Sequence, residues 1–350
     1  MRAVYFEQFG GPVSLREIPE PACPPDGVIV SVEATGLCRS DWHGWMGHDP
    51  DIRLPHVPGH EFAGRIAAVG ASVSGWAVGD RVTAPFVCAC GSCPECLAGD
   101  EQVCRAQEQP GFTYWGSFAD AVAVPRAAVN LVRVPDELDL VTAAALGCRF
   151  ATAYRAVVAQ GRLRSGEQLA VHGCGGVGLS AVMIGVSRGA RVVAVDVSSA
   201  ARAAALALGA VAAIDPSGDT DVPGAVRAAT DGGAHVSVDA LGSTATSVNS
   251  VLSLRRRGRH VQVGLMLAEH ARPGIPMDRV VAHELEIRGS HGMAARDYRE
   301  MLAEIAAGSL KPGLLVGRTI GLEEAPAALA AMDAPATGSG MTVIVPARGA

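Results

Sequence analysis

Up to about residue 150 the chain alternates short apolar runs with Pro and Gly, as in GVIVSVEATG, AGRIAAVG, GDRVTAP and FADAVAVP. Runs of this length, broken at frequent intervals, predict short strands joined by loops: a mainly-β unit whose loops can carry function. From about residue 152 the rhythm changes. Apolar runs EQLAVHG, ARVVAVD, VAAID, AHVSVDA and RHVQVGL alternate with Ala-rich segments of helical length such as SSAARAAALALGA. That alternation predicts parallel βαβ units and so a doubly wound α/β sheet. After about residue 290, ARDYREMLAEIAAG reads as an amphipathic helix, and MTVIVP as a last strand able to pair back with the first unit.

Composition narrows the function. The 350 residues suffice for roughly two domains of about 100–200 residues each, with an interdomain cleft suited to a small molecule. A net charge of −6 gives no electrostatic reason to expect nucleic acid. No run approaches the roughly 18 apolar residues of a membrane span, and MRAVYFEQFGGP lacks the basic and apolar regions of a secretory signal. The expected location is the cytoplasm, where nine cysteines point to metal or redox chemistry rather than disulfides. Glycine is abundant, at 42 residues, as close approaches of backbone to a ligand require.

One group of glycines has a defined chemistry. In QLAVHGCGGVGLSAVMIGVSRGARVVAVD, Gly173, Gly175 and Gly178 stand at G-x-G-x-x-G spacing between a strand run and a helix run. Asp196 follows Gly173 by 23 residues, at the end of the next strand, where an acid can bond a ribose 2′-hydroxyl. Gly173, Gly175, Gly176, Val177, Gly178 and Asp196 are therefore the candidate dinucleotide-binding residues. Asp196 repels a 2′-phosphate, and Val197, Ser198 and Ser199 offer no arginine to hold one, so NAD is expected over NADP. The bland alternative is a tight strand–helix turn without a ligand. Cys174, inside the motif, reads as a small apolar residue.

The cysteines divide into two sets. Cys90, Cys93, Cys96 and Cys104 follow C-x2-C-x2-C-x7-C, within a loop over about residues 88–105. Four thiolates this close suit a closed tetrahedral zinc site, and the two-residue gaps are too short for unstrained disulfides. An iron–sulfur cluster is the runner-up. Cys88 reads as a free buried thiol. In GLCRSDWH, Cys38 has a base nearby in His43, so it is either a nucleophile or a metal ligand. The second choice gains weight from VPGHEFAG, where His60 and Glu61 lie 22 and 23 residues on, because Cys, His and a second Cys with one open position form a catalytic zinc site.

GLCRSDWH, GHEFAG, the four-cysteine loop, LGCRFATAY and GCGGVG occur in the order and spacing of the zinc-dependent medium-chain alcohol dehydrogenases, which the chain resembles over almost its whole length. The resemblance implies a GroES-like mainly-β catalytic domain at 1–151, a Rossmann domain at 152–289 and a return to the catalytic domain at 290–350. It implies two zinc ions per chain: one on Cys38, His60 and Cys148, the other on Cys90, Cys93, Cys96 and Cys104. Glu61 is then an occasional ligand, and Asp41 orients His60. Ser40 and His43 match a proton relay, Arg39 a pyrophosphate contact and Thr152 a neighbour of the nicotinamide. Trp45, Phe86 and Trp115 fall at or near substrate-pocket positions. Zinc would grip the alcohol oxygen as an alkoxide while hydride passes to NAD, and the chain would assemble as a homo-dimer or tetramer.

One departure stands out. Many relatives carry a basic residue after the glycine of the last strand, whereas GSGMTVIVP has Met341. That weakens the expectation of a second cationic contact to the cofactor phosphates. Polyol and threonine dehydrogenases share these motifs. A cysteine-nucleophile enzyme such as an acylating aldehyde dehydrogenase, and a non-catalytic zinc and nucleotide binder, are the readings from other classes.

Overall fold

The computed structural model describes residues 1–334 and 339–346. Two large sheets organise them. The first has seven strands in the order Val316–Gly321, Met341–Val345, Val28–Leu37, Phe62–Val69, Arg81–Thr83 and Val132–Arg133, with Ala121–Val124 also paired to Val28–Leu37. Its central strand, Val28–Leu37, is long and almost wholly buried because it pairs with three neighbours. One of them is the final strand, Met341–Val345, which lies antiparallel to it with Val343 opposite Gly36. The chain's end thus returns to the first unit. A separate antiparallel hairpin joins Arg2–Phe6 to Val13–Glu17.

The second sheet is parallel throughout, in the order Ala212–Ile214, Arg191–Val195, Gln168–His172, Ala234–Asp239, Leu254–Gln262 and Glu286–Gly289. The strand order reverses between Gln168–His172 and Ala234–Asp239, and ligands of open α/β sheets bind at such a reversal. Five of these strands correspond to the apolar runs of the sequence. The sixth, Glu286–Gly289, is an edge strand that alternates half-buried and exposed residues and carries Glu286 and Arg288, so no apolar run marks it. The helix Gly176–Ser187 is buried along Gly178–Gly185, as its apolar composition on every face demands. Ser198 starts the next helix, Ser199–Ala207, by accepting the amide of Ala201. Among the described residues no helix is long and apolar enough to cross a membrane.

Between the sheets runs a continuous helical segment, Leu146–Gln160, which begins with a wide π-helical turn at Leu146–Phe150. Such turns concentrate at functional sites because they re-aim side chains. Leu146 and Phe150 are fully buried in a core shared with Val171, Ile184 and Met341, so packing fixes this segment against both units. A second core, around Val30, Phe62, Ile66 and Val82, fills the seven-stranded sheet. Phe62 directly follows the His60–Glu61 pair and has no exposed surface. Phe62→Ala is expected to destabilise the protein by about 3–5 kcal/mol, read as a lowered denaturant midpoint; a loss below about 1 kcal/mol would show that the core closes over the gap.

Candidate functional site

Cys38 precedes the short helix Arg39–Trp45, and Asp41, in that helix's first turn, reaches back to accept the Cys38 amide at 2.9 Å. The same carboxylate accepts the amide of Gly59 at 3.0 Å and meets Nδ1 of His60 at 2.8 Å. The Asp41 side chain has no exposed surface. Nδ1 of His60 therefore carries its proton toward Asp41, and its other nitrogen, Nε2, is buried with no hydrogen-bond partner among the described residues. A neutral imidazole held in this way offers a lone pair at Nε2.

That lone pair faces company. Ligand atoms of Cys38, His60, Glu61 and Cys148 all lie within 4.8 Å of one another. The Cys148 thiol donates to Cys38 and, with His60 and against the effect of burial, holds the Cys38 thiol well below its usual range. Donating that bond and losing water push Cys148 up. The Asp41 charge and hydrogen bond raise His60 despite strong opposition from burial. Cys38 thus has His60 and Cys148 as partners and makes no hydrogen bond to His43 among the described contacts, which removes the geometry a Cys38–His43 nucleophile needs.

Glu61 is fully buried, and burial raises its carboxyl in spite of Arg149. Oε1 accepts the Arg149 amide at 2.9 Å, and Nε of Arg149 lies 3.0 Å from both carboxylate oxygens. Nη2 of Arg149 completes the pair. Sequence reasoning passed over Arg149, although it is the lone charge in LGCRFATAY.

In the cysteine loop, sulfur–sulfur distances are 3.4 Å for Cys93–Cys96, 3.7 Å for Cys93–Cys104 and 3.9 Å for Cys90–Cys96. None of the four forms a disulfide. Backbone amides of Ser92 and Cys93 stabilise a thiolate at Cys90 and lower it to about 6, while burial pushes Cys96 up to about 12. Asn130 anchors the loop by bonding both the amide and the carbonyl of Ala89. Cys88 is apart from the four: it is fully buried beside the Tyr114 hydroxyl and pushed up to about 11 by burial.

At the reversal of the parallel sheet, Gly173 adopts φ +89°, which favours glycine, and its amide bonds the Val195 carbonyl at 2.8 Å. A Cβ on Gly178 would lie 1.8 Å from the Gly173 carbonyl oxygen, so the helix approaches the turn only because Gly178 lacks one. Gly175 opens onto free space. Val177 packs at the margin of the core. Asp196 accepts the amides of Cys174 at 2.6 Å and Ser198 at 2.7 Å, which pins its carboxylate beside the turn. Arg202, which sequence reasoning missed, bonds the carbonyls of Asp196 and Val197 and pairs with Asp215 at 2.9 Å. It lies one helical turn beyond the residues inspected for a cation.

The other expected residues are distributed unevenly. Thr152 is buried near Cys148 on the same helical segment, and its hydroxyl has no partner among the described residues. The Phe86 ring stands 6.2 Å from that of His60. Ser40 is half-buried in the helix after Cys38. His43 is lowered to about 4 by burial and by Arg39 and His48, and its Nδ1 lies 2.9 Å from Nδ1 of His48. Arg39 stacks over Trp42 and donates to the Met332 carbonyl, with no described contact to the glycine turn. Trp45 bonds the Gly11 carbonyl and packs among Val4, Leu37 and Trp42. Trp115 bonds the Pro55 carbonyl and meets Tyr5 edge-on. Both indoles anchor packing, and the aromatic neighbours of His60 and Phe86 are instead Phe112, at 5.2 Å from His60, and His291, at 5.2 Å from Phe86. These sit on loops remote in sequence, where no local pattern announces them.

Residues 24–136 match the family described as Alcohol dehydrogenase GroES-like domain, and residues 176–307 that described as Zinc-binding dehydrogenase. An alcohol dehydrogenase of Geobacillus stearothermophilus is 35% identical over 89% of this chain and 90% of its own length. The chain belongs to the zinc-type medium-chain alcohol dehydrogenases. Among solved structures, alcohol dehydrogenase TADH from Thermus sp. ATN1 superposes with a TM-score of 0.90 at 32% identity, covering 99% of this chain and 100% of that one. A putative zinc-binding dehydrogenase from Sinorhizobium meliloti 1021 bound to NADP gives 0.87 at 30% identity, covering 99% of each chain.

Both clusters of this medium-chain dehydrogenase fit zinc on their own chemistry. Bonds of about 2.3 Å in a tetrahedron put sulfurs roughly 3.8 Å apart, close to the loop's 3.4–3.9 Å. The other cluster presents two thiols and an imidazole nitrogen turned toward one another in one buried group. Asp41→Asn leaves one acceptor oxygen where three donors converge, and is expected to weaken metal affinity of the Cys38 cluster about 10–100-fold. Competition with a chromophoric chelator measures this, and an unchanged affinity would show that His60 is oriented by other contacts.

Proposed function

We propose that this chain is a zinc- and NAD-dependent oxidoreductase that interconverts an alcohol and its aldehyde or ketone by hydride transfer. The observation that carries the reading is the helical segment Leu146–Gln160. Cys148 on it joins the Cys38–His60 cluster, Thr152 lies one turn on, and Arg149 between them touches the glycine turn. One helical segment thereby adjoins both the candidate metal cluster and the glycine turn, which supports a metal and a dinucleotide acting together.

When bound, zinc supplies a Lewis acid for the substrate oxygen and the nicotinamide supplies the hydride acceptor or donor. Cys38, His60 and Cys148 would hold the catalytic metal, and Cys90, Cys93, Cys96 and Cys104 a second, structural one. Asp41 keeps the His60 proton on Nδ1 so that Nε2 stays basic toward the metal. Ser40 and His43 move the alcohol proton outward. His43, lowered to about 4, is neutral at physiological pH and so accepts a proton only in transit, with His48 beside it on the solvent side. Phe86 and Phe112 exclude water around His60 and replace Trp45 and Trp115 as the proposed pocket walls. An apolar or aromatic alcohol suits such walls.

Asp196 supports NAD over NADP, since its carboxylate is pinned where a ribose hydroxyl would bond. Arg202 qualifies that preference: its guanidinium is close by but is occupied by two carbonyls and Asp215. A homo-oligomer is also proposed, with exposed Met277, Val281 and Ile287 flanking the free edge of Glu286–Gly289 as the face for a second copy.

Removing a metal ligand takes away the zinc it holds, an ion able to lower the pKa of bound water from about 15.7 to about 7, whereas a positioned acid–base group contributes about 10²- to 10⁴-fold. His43→Ala is therefore expected to lower kcat within that range, and Cys38→Ser to lower it further with loss of one of two zinc ions per chain. Assays at 340 nm with NAD(H), alongside elemental analysis, measure both; equal losses at unchanged zinc content would refute the assignment. Asp196→Ala, with Arg202 retained, is expected to narrow the NAD preference at least 10-fold in kcat/KM, and an unchanged NAD to NADP ratio would remove Asp196 from the specificity argument.

A further inference from the structure

The Glu61–Arg149 pair is more elaborate than its place in the core requires. The Arg149 side chain is 9% exposed and that of Glu61 0%. Taking both charges out of water costs several kcal/mol per ion, and apolar residues of like volume usually serve stability as well. Space has nevertheless been cleared for the pair on three different elements. A Cβ on Gly36, in the central strand Val28–Leu37, would lie 2.2 Å from Oε2 of Glu61 and 2.7 Å from Nη2 of Arg149. One on Gly147 would meet the Glu61 backbone at 3.2 Å, and one on Gly176 would lie 2.5 Å from Cδ of Arg149. None of these three glycines has positive φ, so room rather than backbone conformation calls for glycine at each.

The guanidinium is also incompletely used. It has five N–H donors, and Nε and Nη2 serve Glu61. Nη1 makes no hydrogen bond among the described residues, and it is not sealed from solvent as an orphan buried atom would be. The side chain that carries it packs on Gly176, the first residue of the helix Gly176–Ser187, beside the open space at Gly175. A helix N-terminus there offers backbone amides to an anion, and a nine-tenths-buried guanidinium with a free donor stands against its first turn.

We propose that Arg149 binds the pyrophosphate of the dinucleotide through its free Nη1, and that Glu61 is a positioning residue that holds the guanidinium in place for that contact instead of serving as a metal ligand. The inference rests on the dinucleotide reading above and adds to it a residue adjoining a metal ligand. Glu61 offsets the buried cation before cofactor arrives, so Arg149 is already oriented and little ordering cost remains at binding. Because Cys148 and Arg149 are consecutive, occupancy of the turn is felt one residue from the metal cluster.

The test uses the full-length zinc-loaded protein and NADH fluorescence, with ADP-ribose and adenosine as competitors. Arg149→Met is expected to weaken NADH and ADP-ribose at least 10-fold while adenosine and zinc content are unchanged. Since that variant strands a buried carboxylate and could fail to fold, the double variant Glu61→Gln/Arg149→Met is the deciding one: recovery of thermal stability without recovery of NADH affinity supports the proposal. A purely structural role predicts that stability and affinity recover together, and wild-type NADH and ADP-ribose binding by the double variant overturns the inference alone. Wild-type protein that binds neither ligand overturns the dinucleotide reading together with it.

Discussion

A carboxylate without exposed surface must have its oxygens filled, and Asp41 fills them with donors from two distant stretches of chain. It takes the amide of Cys38 on one side and the amide of Gly59 and the ring of His60 on the other. One interaction thus caps a helix, ties a loop to it and chooses the His60 tautomer. Backbone pairing, which includes the Gly36 amide on the Glu61 carbonyl at 2.7 Å, brings the two stretches together, and the Asp41 bonds orient Cys38 and the His60 ring within that frame. Asp41 then decides which ring nitrogen of His60 faces the two thiols.

The second constraint is electrostatic. Cys38 as a thiolate, Glu61 as a carboxylate and Asp41 together place three negative groups in a volume closed to water. Arg149 is the cation that answers Glu61, the Nδ1–H of His60 answers Asp41, and a divalent metal at the thiols would supply the remainder. Arg149 is positioned for this by the π-helical turn Leu146–Phe150, which widens the helix where Cys148 faces one unit and Arg149 meets Gly176 of the other. Fold and charge are linked here, because the wide turn sets the consecutive residues Cys148 and Arg149 against different partners, Cys38 and Glu61.

Much of this was legible in the sequence. The βαβ rhythm marks five strands of the parallel sheet, and the glycine spacing marks the turn at its reversal. Cysteine spacing gathers the loop thiols because all four cysteines lie within fifteen residues. What escaped is contact between segments remote in sequence. Phe112 and His291 reach the site from loops whose local pattern carries no sign of it, and Trp45 and Trp115 lie beside motifs yet turn their indoles to backbone carbonyls elsewhere. Arg149 is a different case. A single charge in an apolar run must find a counter-charge, so LGCRFATAY already implies a buried acid, and only the identity of that acid, Glu61, needs the fold.

Met341 follows from the same arithmetic. It is 1% exposed, within the apolar core that also holds Leu146 and Phe150. A cation at 341 would enter that core without its water, at a cost of several kcal/mol unless a buried acid came with it. Arg149 shows the condition a buried cation must meet, since Glu61 answers it with three bonds from the guanidinium. Met341 needs no such partner and fills its place in the core without one.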